Sequence, residues 1–164
     1  MNEELVIVGK VINFFGIKGE LKILSDFDKE ELAFKCGMHV LIKEEWLSIT
    51  SVRKHKNYIL IRVNNLNDIN LVTKYIGFNV YIRKSDLNLG EDEYLLDDLI
   101  GAKVIDEKNN IGEVIDAYIG PSSSYVKVLY ENKEYLIPLV DAYIKKFDKN
   151  NKILYTTNAK DLII

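Results

Sequence analysis

Short runs in which apolar and polar residues alternate cover most of this 164-residue chain. In residues 20–24, Leu21 and Ile23 share one face of the run and Lys22 takes the other, which is the period of a half-buried β-strand. Turn residues separate such runs at intervals typical of all-β barrels. The first half therefore predicts six strands, at residues 5–12, 20–24, 39–42, 46–52, 58–63 and 79–82.

One segment of the first half breaks the β pattern. Residues 67–77 have the composition and end signals of a short helix, with Asn67 or Asp68 as its N-cap and Gly77 as its stop. We expect this helix to lie across one mouth of a barrel.

The second half repeats the β style after a polar, acidic stretch at residues 84–93. Three hairpins are predicted there, which pair 103–106 with 113–119, 125–130 with 134–137, and 144–147 with 153–155. Asparagine tolerates left-handed backbone geometry, so the expected turns are centred on Asn109 and Asn110, Asn132 and Lys133, and Asn150 and Asn151. The prediction is an all-β fold of two small β-barrels with one or two short helices: a first barrel at 1–83, an acidic linker at 84–93 and a second barrel at 94–164.

Charge is divided unevenly between these two halves. The chain is 48% hydrophobic, enough to bury a core, and has a net charge of −3. Residues 1–83 hold 12 Lys and Arg against 10 Asp and Glu and contain all three arginines, whereas residues 84–164 hold 10 Lys against 15 Asp and Glu. The first half therefore suits a phosphate-bearing partner, and the second suits a basic one.

Membrane and secretion signals are missing from the sequence. No apolar stretch approaches the roughly 20 residues that a membrane helix needs, and the start, Met1-Asn2-Glu3-Glu4, is acidic where a secretory signal is basic. The single cysteine, Cys36, has no partner for an internal disulfide, which is typical of a reducing compartment. We expect a protein without membrane association, in the cytoplasm or in an organelle after removal of a transit peptide.

Candidate catalytic chemistry is scarce. Neither His39 nor His55 has a second His or Cys at metal-ligand spacing. Neighbouring carboxylates such as Asp97 and Asp98 would point to opposite faces of a strand, and Asp98 instead suits a cap for the turn before Leu99-Ile100-Gly101. The chain also lacks a P-loop. The sequence therefore predicts a protein that is not an enzyme and has no cofactor or metal.

Gly16 and Gly19 frame a loop between the first two predicted strands. Glycine reaches positive φ without a Cβ clash, so the loop can present Ile17 and Lys18 at its tip. An apolar side chain beside an exposed cation suits docking on a surface. The alternative is a tight barrel corner whose lysine is merely solvated, and the loop alone leaves both interpretations open.

Several separated motifs carry a resemblance to one family. The segment Gly9-Lys10 followed by Phe15-Gly16-Ile17-Lys18-Gly19-Glu20 resembles the N-terminal signature of the RimM-type ribosome maturation factors, with Phe15 where the family usually has His. The stretch at 93–101 resembles the acidic, tyrosine, Asp-Leu-Ile-Gly segment that opens the family's C-terminal PRC barrel. Segments at 111–114 and 136–139 and a hairpin around Asp148 follow in the family's order.

This resemblance implies a translation-factor-like barrel followed by a PRC barrel. It implies a ribosome maturation factor that assists assembly of the small (30S) subunit head and 16S rRNA processing, with 16S rRNA in the immature subunit and ribosomal protein S nineteen as partners. We expect a monomer. The expected contacts with rRNA or the subunit are Phe15, Gly16, Ile17, Lys18, Gly19, Glu20, Lys22, Arg53 and Lys54. The expected contacts with the ribosomal protein are Tyr94, Leu95, Asp98, Leu99 and Gly101.

Two alternatives stay open at this point. Tyr94 is either an aromatic anchor for the partner or a plug in its own barrel, and Leu95 stands where the family often has a second aromatic. For the whole chain, the alternative function is a small-ligand or flavin-binding β-barrel of the reductase type. Absorbance beyond the aromatic band would identify a bound flavin.

Overall fold

The computed structural model describes residues 3–163, so Met1 and Asn2 of the acidic start and Ile164 lie outside the described residues. The chain divides into two compact units, Met1–Asn88 and Leu89–Ile164. Strands dominate both units, and helical segments are short, which confirms the predicted all-β fold.

The first unit is a closed barrel of six antiparallel strands in the order β1-β2-β5-β4-β3-β6. The strands are β1 (Leu5–Phe15), β2 (Glu20–Leu24), β3 (His39–Ile42), β4 (Glu45–His55), β5 (Tyr58–Val63) and β6 (Asn79–Arg83). Their inward positions, among them Val11, Leu21, Val40, Ile61 and Ile82, are fully buried. The apolar positions that the alternating pattern predicts on one face of each strand therefore line one apolar core.

Strands β1 and β4 extend three residues beyond their predicted ends. The added residues of β1 pair with β2, and the charged end of β4, which includes Arg53, pairs with β5. Both strands also carry register shifts, in β1 between Val11 and Asn13 and in β4 between Ile49 and Ser51. Such bulges bend a strand and increase its twist, as closure of a small barrel requires.

The helical segments of the first unit are single turns. Helix α1 (Glu30–Ala33) was not predicted. Helix α2 (Ile69–Val72) begins at the predicted cap, where the Asp68 carboxylate accepts a hydrogen bond of 2.9 Å from the Asn70 amide. It tightens into a 3-10 turn, Thr73–Tyr75, before Gly77 at φ +92°. The predicted helix is therefore present but shorter than residues 67–77.

The chain between the two units is held at both ends. Lys84–Leu87 forms a 3-10 turn whose Leu87 is buried. Further on, the ammonium of Lys149 donates hydrogen bonds to the carbonyl oxygens of Gly90 and Glu93, at 2.8 and 2.7 Å. The boundary between the units, after Asn88, lies between these two attachments.

The second unit is built on one six-stranded sheet in the order β10-β9-β8-β7-β12-β11. The strands are β7 (Lys103–Asp106), β8 (Asn109–Ile119), β9 (Ser124–Tyr130), β10 (Lys133–Pro138), β11 (Ile144–Asp148) and β12 (Ile153–Thr156). Ile137 from one edge strand is part of the buried core, and Phe147 from the other edge strand packs against it. The parallel pairing of β7 with β12 was not predicted, because it joins segments distant in the chain.

Two of the three predicted hairpin turns are shifted in register. Asn109 and Asn110 begin β8, and the left-handed turn residues are Glu107 and Lys108. The predicted turn at Asn109 and Asn110 is wrong because Asp106 is buried and pairs directly with Asn109, which leaves two residues for the turn. The next turn is formed by Glu131 and Asn132, since Lys133 pairs with Tyr130. Asn150 and Asn151 do lie in the third turn, where the Asp148 carboxylate accepts a hydrogen bond from the Asn151 amide.

Candidate functional site

Strand register gathers most of the predicted first-domain site on one outer face of the barrel. Phe15 pairs with Glu20, Lys22 and Arg53 both pair with Leu60, and His55 pairs with Tyr58. Residues directly opposite each other in a sheet project to the same side. We refer to this surface as the Phe15 face, defined as Phe15, Glu20, Lys22, Arg53, His55 and Tyr58.

A two-pronged ion pair lies at the centre of the Phe15 face. Arg53 donates from Nε to Oε2 of Glu20 at 3.0 Å and from Nη2 to Oε1 at 2.7 Å. The Glu20 side chain is 14% exposed, whereas that of Arg53 is 52% exposed. The hydrogen bonds from Arg53 lower the pKa of the Glu20 carboxyl, and the positive charges of Arg53 and Arg62 act in the same direction. The same pair raises the pKa of Arg53.

Aromatic rings hold the cations of this face. The guanidinium of Arg53 lies 5.4 Å from the centroid of the Phe15 ring, whose other neighbour is the His55 ring at 4.7 Å. Lys22 Nζ lies 4.2 Å from the centroid of the Tyr58 ring. Cation–π attraction of this kind limits the positions that a flexible cation samples. The Phe15 face therefore presents positive charge from restrained positions.

The glycine loop has the exposed tip that the sequence predicts. Gly16 and Gly19 have φ values of +74° and +75°, and the Gly19 amide donates to the Gly16 carbonyl at 3.2 Å. Ile17 is 83% exposed and Lys18 is exposed as well. Gly19 is buried because it packs against the backbone of Asp68 at the start of α2. The first turn of α2 thus supports the loop from behind.

Lys54 belongs to a different surface from its neighbour Arg53. Successive residues of a strand point to opposite sides. The Lys54 ammonium lies 3.0 Å from the carboxylate of Glu30 in α1. Of the predicted rRNA contacts on the strands, the structure thus brings Phe15, Glu20, Lys22 and Arg53 together and places Lys54 apart.

The predicted protein-binding segment is partly a core element of the second unit. Leu96–Leu99 is a 3-10 turn; its last residue, Leu99, and the preceding Leu95 are buried. The Asp98 carboxylate accepts a hydrogen bond of 2.9 Å from the Leu95 amide, so Asp98 closes this turn from its third position, and Leu95 is the N-cap residue. Gly101 is exposed, with φ +89°. Leu95 and Leu99 can therefore influence a contact only through the backbone that they fix.

Tyr94 combines features of both of its interpretations. Its ring meets the Phe147 ring edge to face at 5.1 Å and packs against the core of the second unit, while part of the side chain stays accessible. Burial raises the pKa of its hydroxyl. Tyr94 thus packs against the core of the second unit and is only partly buried.

Sequence reasoning missed two rings of the Phe15 face. The sequence predicts only a strand start at Tyr58 and gives His55 no binding role. The signal that could have found them is the hairpin of β4 and β5, because a tight turn at residues 56 and 57 puts His55 opposite Tyr58.

Within residues 3–163, no three His, Cys, Asp or Glu side chains are placed to share a metal ion. No helix in this part of the chain is long and apolar enough to span a membrane.

Family models match nearly the whole chain in two parts. The RimM N-terminal domain matches residues 6–87, and the RimM PRC barrel domain matches residues 96–162. The chain belongs to the RimM family. It is 40% identical to the ribosome maturation factor RimM of Oenococcus oeni over 144 residues, which cover 86% of this chain and 87% of that one. It is 34% identical to the RimM of Staphylococcus haemolyticus over 163 residues, which cover 95% and 97% of the two chains.

The candidate surfaces lie in different RimM domains. The whole Phe15 face and the glycine loop fall within the match to the RimM N-terminal domain. Asp98, Leu99 and Gly101 fall within the match to the RimM PRC barrel domain, and Tyr94 lies two residues before it.

Proposed function

We propose that this protein is a non-catalytic ribosome maturation factor that assists assembly of the 30S head and processing of 16S rRNA. The observation that carries the proposal is the match of both RimM domains, in order, together with relatives named ribosome maturation factor RimM along most of the chain. Family membership favours this function over a flavin-binding barrel. Such a role would place the protein in the cytoplasm, where we propose that it acts as a monomer.

The first domain is the proposed contact with 16S rRNA in the immature subunit. The Phe15 face offers restrained cations, Lys22 and Arg53, and the loop beside it offers the exposed Lys18. Phosphate groups of RNA attract such cations, and an aromatic ring can add contact area. Lys54, which lies on the far side of the strand, contributes to the same contact only if the RNA reaches round the barrel edge.

The second domain is the proposed contact with the head ribosomal protein, S nineteen. Residues 84–164 carry an excess of acidic groups, which attracts a basic protein. The accessible side of Tyr94 and the exposed Gly101 offer contact points, and Asp98 fixes the turn between them. In this proposal Leu95 and Leu99 position the segment from within the core.

The proposed mechanism is a shift in population. A factor that binds an immature arrangement of the head more tightly than competing arrangements favours the one it fits, because a ligand moves an equilibrium by its difference in affinity. Release follows when the mature surface no longer matches. The two domains would bind RNA and protein at the same time, so each would help to hold the other partner in place.

Co-sedimentation tests this proposal directly. The purified protein is mixed with small-subunit precursors, free mature small subunits or joined ribosomes, and each mixture is separated on a gradient. We expect the largest bound fraction on precursors, less on mature small subunits and least on joined ribosomes. Equal binding to all three, or none to small subunits, would contradict the proposed function.

A further inference from the structure

We propose that Glu20 occupies the Nε–Nη2 edge of Arg53 in the free protein, so that an RNA phosphate must displace this carboxylate in order to bind that edge. The inference rests on the proposed function and deepens it, because it assigns a restraint to the RNA-contacting face. Glu20 then weakens RNA binding although it lies at the centre of the contact surface.

The geometry of the pair supports this exchange. Arg53 uses Nε and Nη2 to hold both oxygens of Glu20, at 3.0 and 2.7 Å. The planar fork of a guanidinium binds a carboxylate and a phosphate in the same two-pronged way. One of the two-pronged edges of Arg53 is therefore already occupied by an internal anion.

Exposure allows the replacement to take place. About half of the Arg53 side chain is open to solvent, whereas the Glu20 side chain is mostly buried. A phosphate can thus approach the guanidinium without moving the barrel. Because Arg53 is half exposed, solvent screens its side of the pair, and a phosphate can compete with Glu20 for the guanidinium.

A second arginine is placed to receive the displaced carboxylate. Leu21 pairs with Ile61, so the adjacent Glu20 and Arg62 lie side by side on the outer face, and the charge of Arg62 lowers the pKa of Glu20. Arg62 Nε is buried and has no hydrogen-bond partner among the described residues. A buried donor without a partner is costly, and the carboxylate of Glu20 would satisfy it. Transfer of Glu20 from Arg53 to Arg62 keeps the acid paired while it frees the fork.

The substitution Glu20→Gln tests the restraint. Glutamine removes the negative charge but keeps an oxygen that can accept from Arg53, so the guanidinium stays near Phe15. We expect the variant to bind small-subunit precursors roughly two- to fivefold tighter than the wild type at moderate salt. The matched control is Glu30→Gln, which removes an acid paired with Lys54 on the other side of the strand. It should leave the affinity unchanged.

Two outcomes would overturn the inference. Binding by Glu20→Gln that is unchanged or weaker would mean that Glu20 only positions Arg53. An equal gain in Glu30→Gln would mean that total charge, and not this pair, sets the affinity. In an Arg53→Ala background, Glu20→Gln should give no gain, because the fork that it frees is absent.

A further variant covers the possibility that glutamine disturbs folding. Glu20→Asp shortens the side chain by one methylene and breaks the two-pronged geometry, so we expect a smaller gain in affinity, and a loss would contradict the inference. Thermal unfolding of each variant gives the folded fraction to which its affinity refers. If the wild type fails to bind precursors, the proposed function fails; if it binds and Glu20→Gln does not bind more tightly, only this inference fails.

Discussion

The ring of Tyr94 meets the ring of Phe147 edge to face, with centroids 5.1 Å apart and an interplanar angle of 69°. Aromatic pairs in this arrangement stabilise a fold beyond the area that they bury. Because Tyr94 keeps part of its surface accessible, the same side chain serves the core and remains available to a partner. The two roles can be separated by changing the ring and the hydroxyl independently.

Tyr94→Ala should destabilise the second domain by about 1 to 3 kcal/mol, less than the loss of a fully buried aromatic side chain. Phe147→Ala should cost a similar amount, because both substitutions break the same ring contact. Tyr94→Phe keeps that contact and should change the free energy of unfolding by no more than about 0.5 kcal/mol. Denaturant unfolding measures all three variants.

Binding of the head ribosomal protein to these variants then tests the partner role of Tyr94. If the hydroxyl contacts the partner, Tyr94→Phe should weaken binding while stability stays unchanged. If Tyr94→Phe binds as the wild type does, and Tyr94→Ala loses binding only in proportion to its unfolded fraction, the proposed contact at Tyr94 is wrong.

The two glycines of the loop should respond differently to alanine. Both have positive φ, so a Cβ at either position costs about 1 to 2 kcal/mol. At Gly19 the new Cβ would also lie 3.0 Å from Cγ2 of Val72 and 3.2 Å from the carbonyl oxygen of Asp68, whereas at Gly16 nothing lies within 4 Å. Gly19→Ala should therefore lower stability more than Gly16→Ala. Equal losses of stability would show that the first turn of α2 does not support the loop.

Sequence patterns predicted the strands of the first domain closely because these strands alternate apolar residues that face inward with polar residues that face outward. Leu21 and Ile23 face inward and Lys22 faces outward, and the structure has the same alternation. The end of β4 was harder to predict, because pairing with β5 extends it through residues such as Arg53 that have no β preference of their own.

The errors in the second domain have a different cause. Turn propensity favoured Asn109 and Asn110, but burial of Asp106 fixes the register of β7 and β8 and places the turn at Glu107 and Lys108. The pairing of β7 with β12 could not be predicted either, since no local pattern in the sequence indicates that these two strands run side by side. Pairing between strands also hid part of the Phe15 face. The exposed loop was predicted from Gly16 and Gly19, but the contact between Lys22 and the Tyr58 ring depends on the register of β2, β4 and β5, of which the sequence shows only the hairpin that puts His55 opposite Tyr58.

Charge reversal should distinguish the Phe15 face and its loop from the surface that carries Lys54 in RNA binding. Lys22→Glu and Lys18→Glu should each weaken binding to small-subunit precursors and reduce the steepness of its salt dependence, because each removes a cation aimed at phosphate. Lys54→Glu makes the same change of charge on the side that faces Glu30. It should have a smaller effect. Titrations at several salt concentrations measure the slopes, and a loss as large for Lys54→Glu would show that the Phe15 face is not the principal contact.

The Glu20 and Arg53 pair should make part of the stability depend on pH. Arg53 lowers the pKa of Glu20 in the folded state below the ordinary value of 4.5. A carboxyl with a lowered folded pKa stabilises the fold above its unfolded pKa, and this contribution is lost as the pH falls through the folded pKa. The stability difference between the wild type and Glu20→Gln should thus be constant near neutral pH and shrink below about pH 4.5. Denaturant unfolding at a series of pH values checks this, and a difference that grows in acid would contradict it.

Lys149 should control how easily the segment between the two domains is cut. Its ammonium holds the carbonyl oxygens of Gly90 and Glu93, while the buried Leu87 holds the other end of the predicted linker. Proteases cleave backbone that can leave its contacts, so Lys149→Ala should speed cleavage after Glu91 and Glu93 by a glutamate-specific protease, whose target residues the substitution leaves intact. Lys146→Ala, on the neighbouring strand β11, is the control and should leave the rate unchanged.

If 84–93 is a true linker, the cut should yield two fragments that each unfold cooperatively. First cleavage inside either domain would show that this segment is not the part of the chain most accessible to proteases.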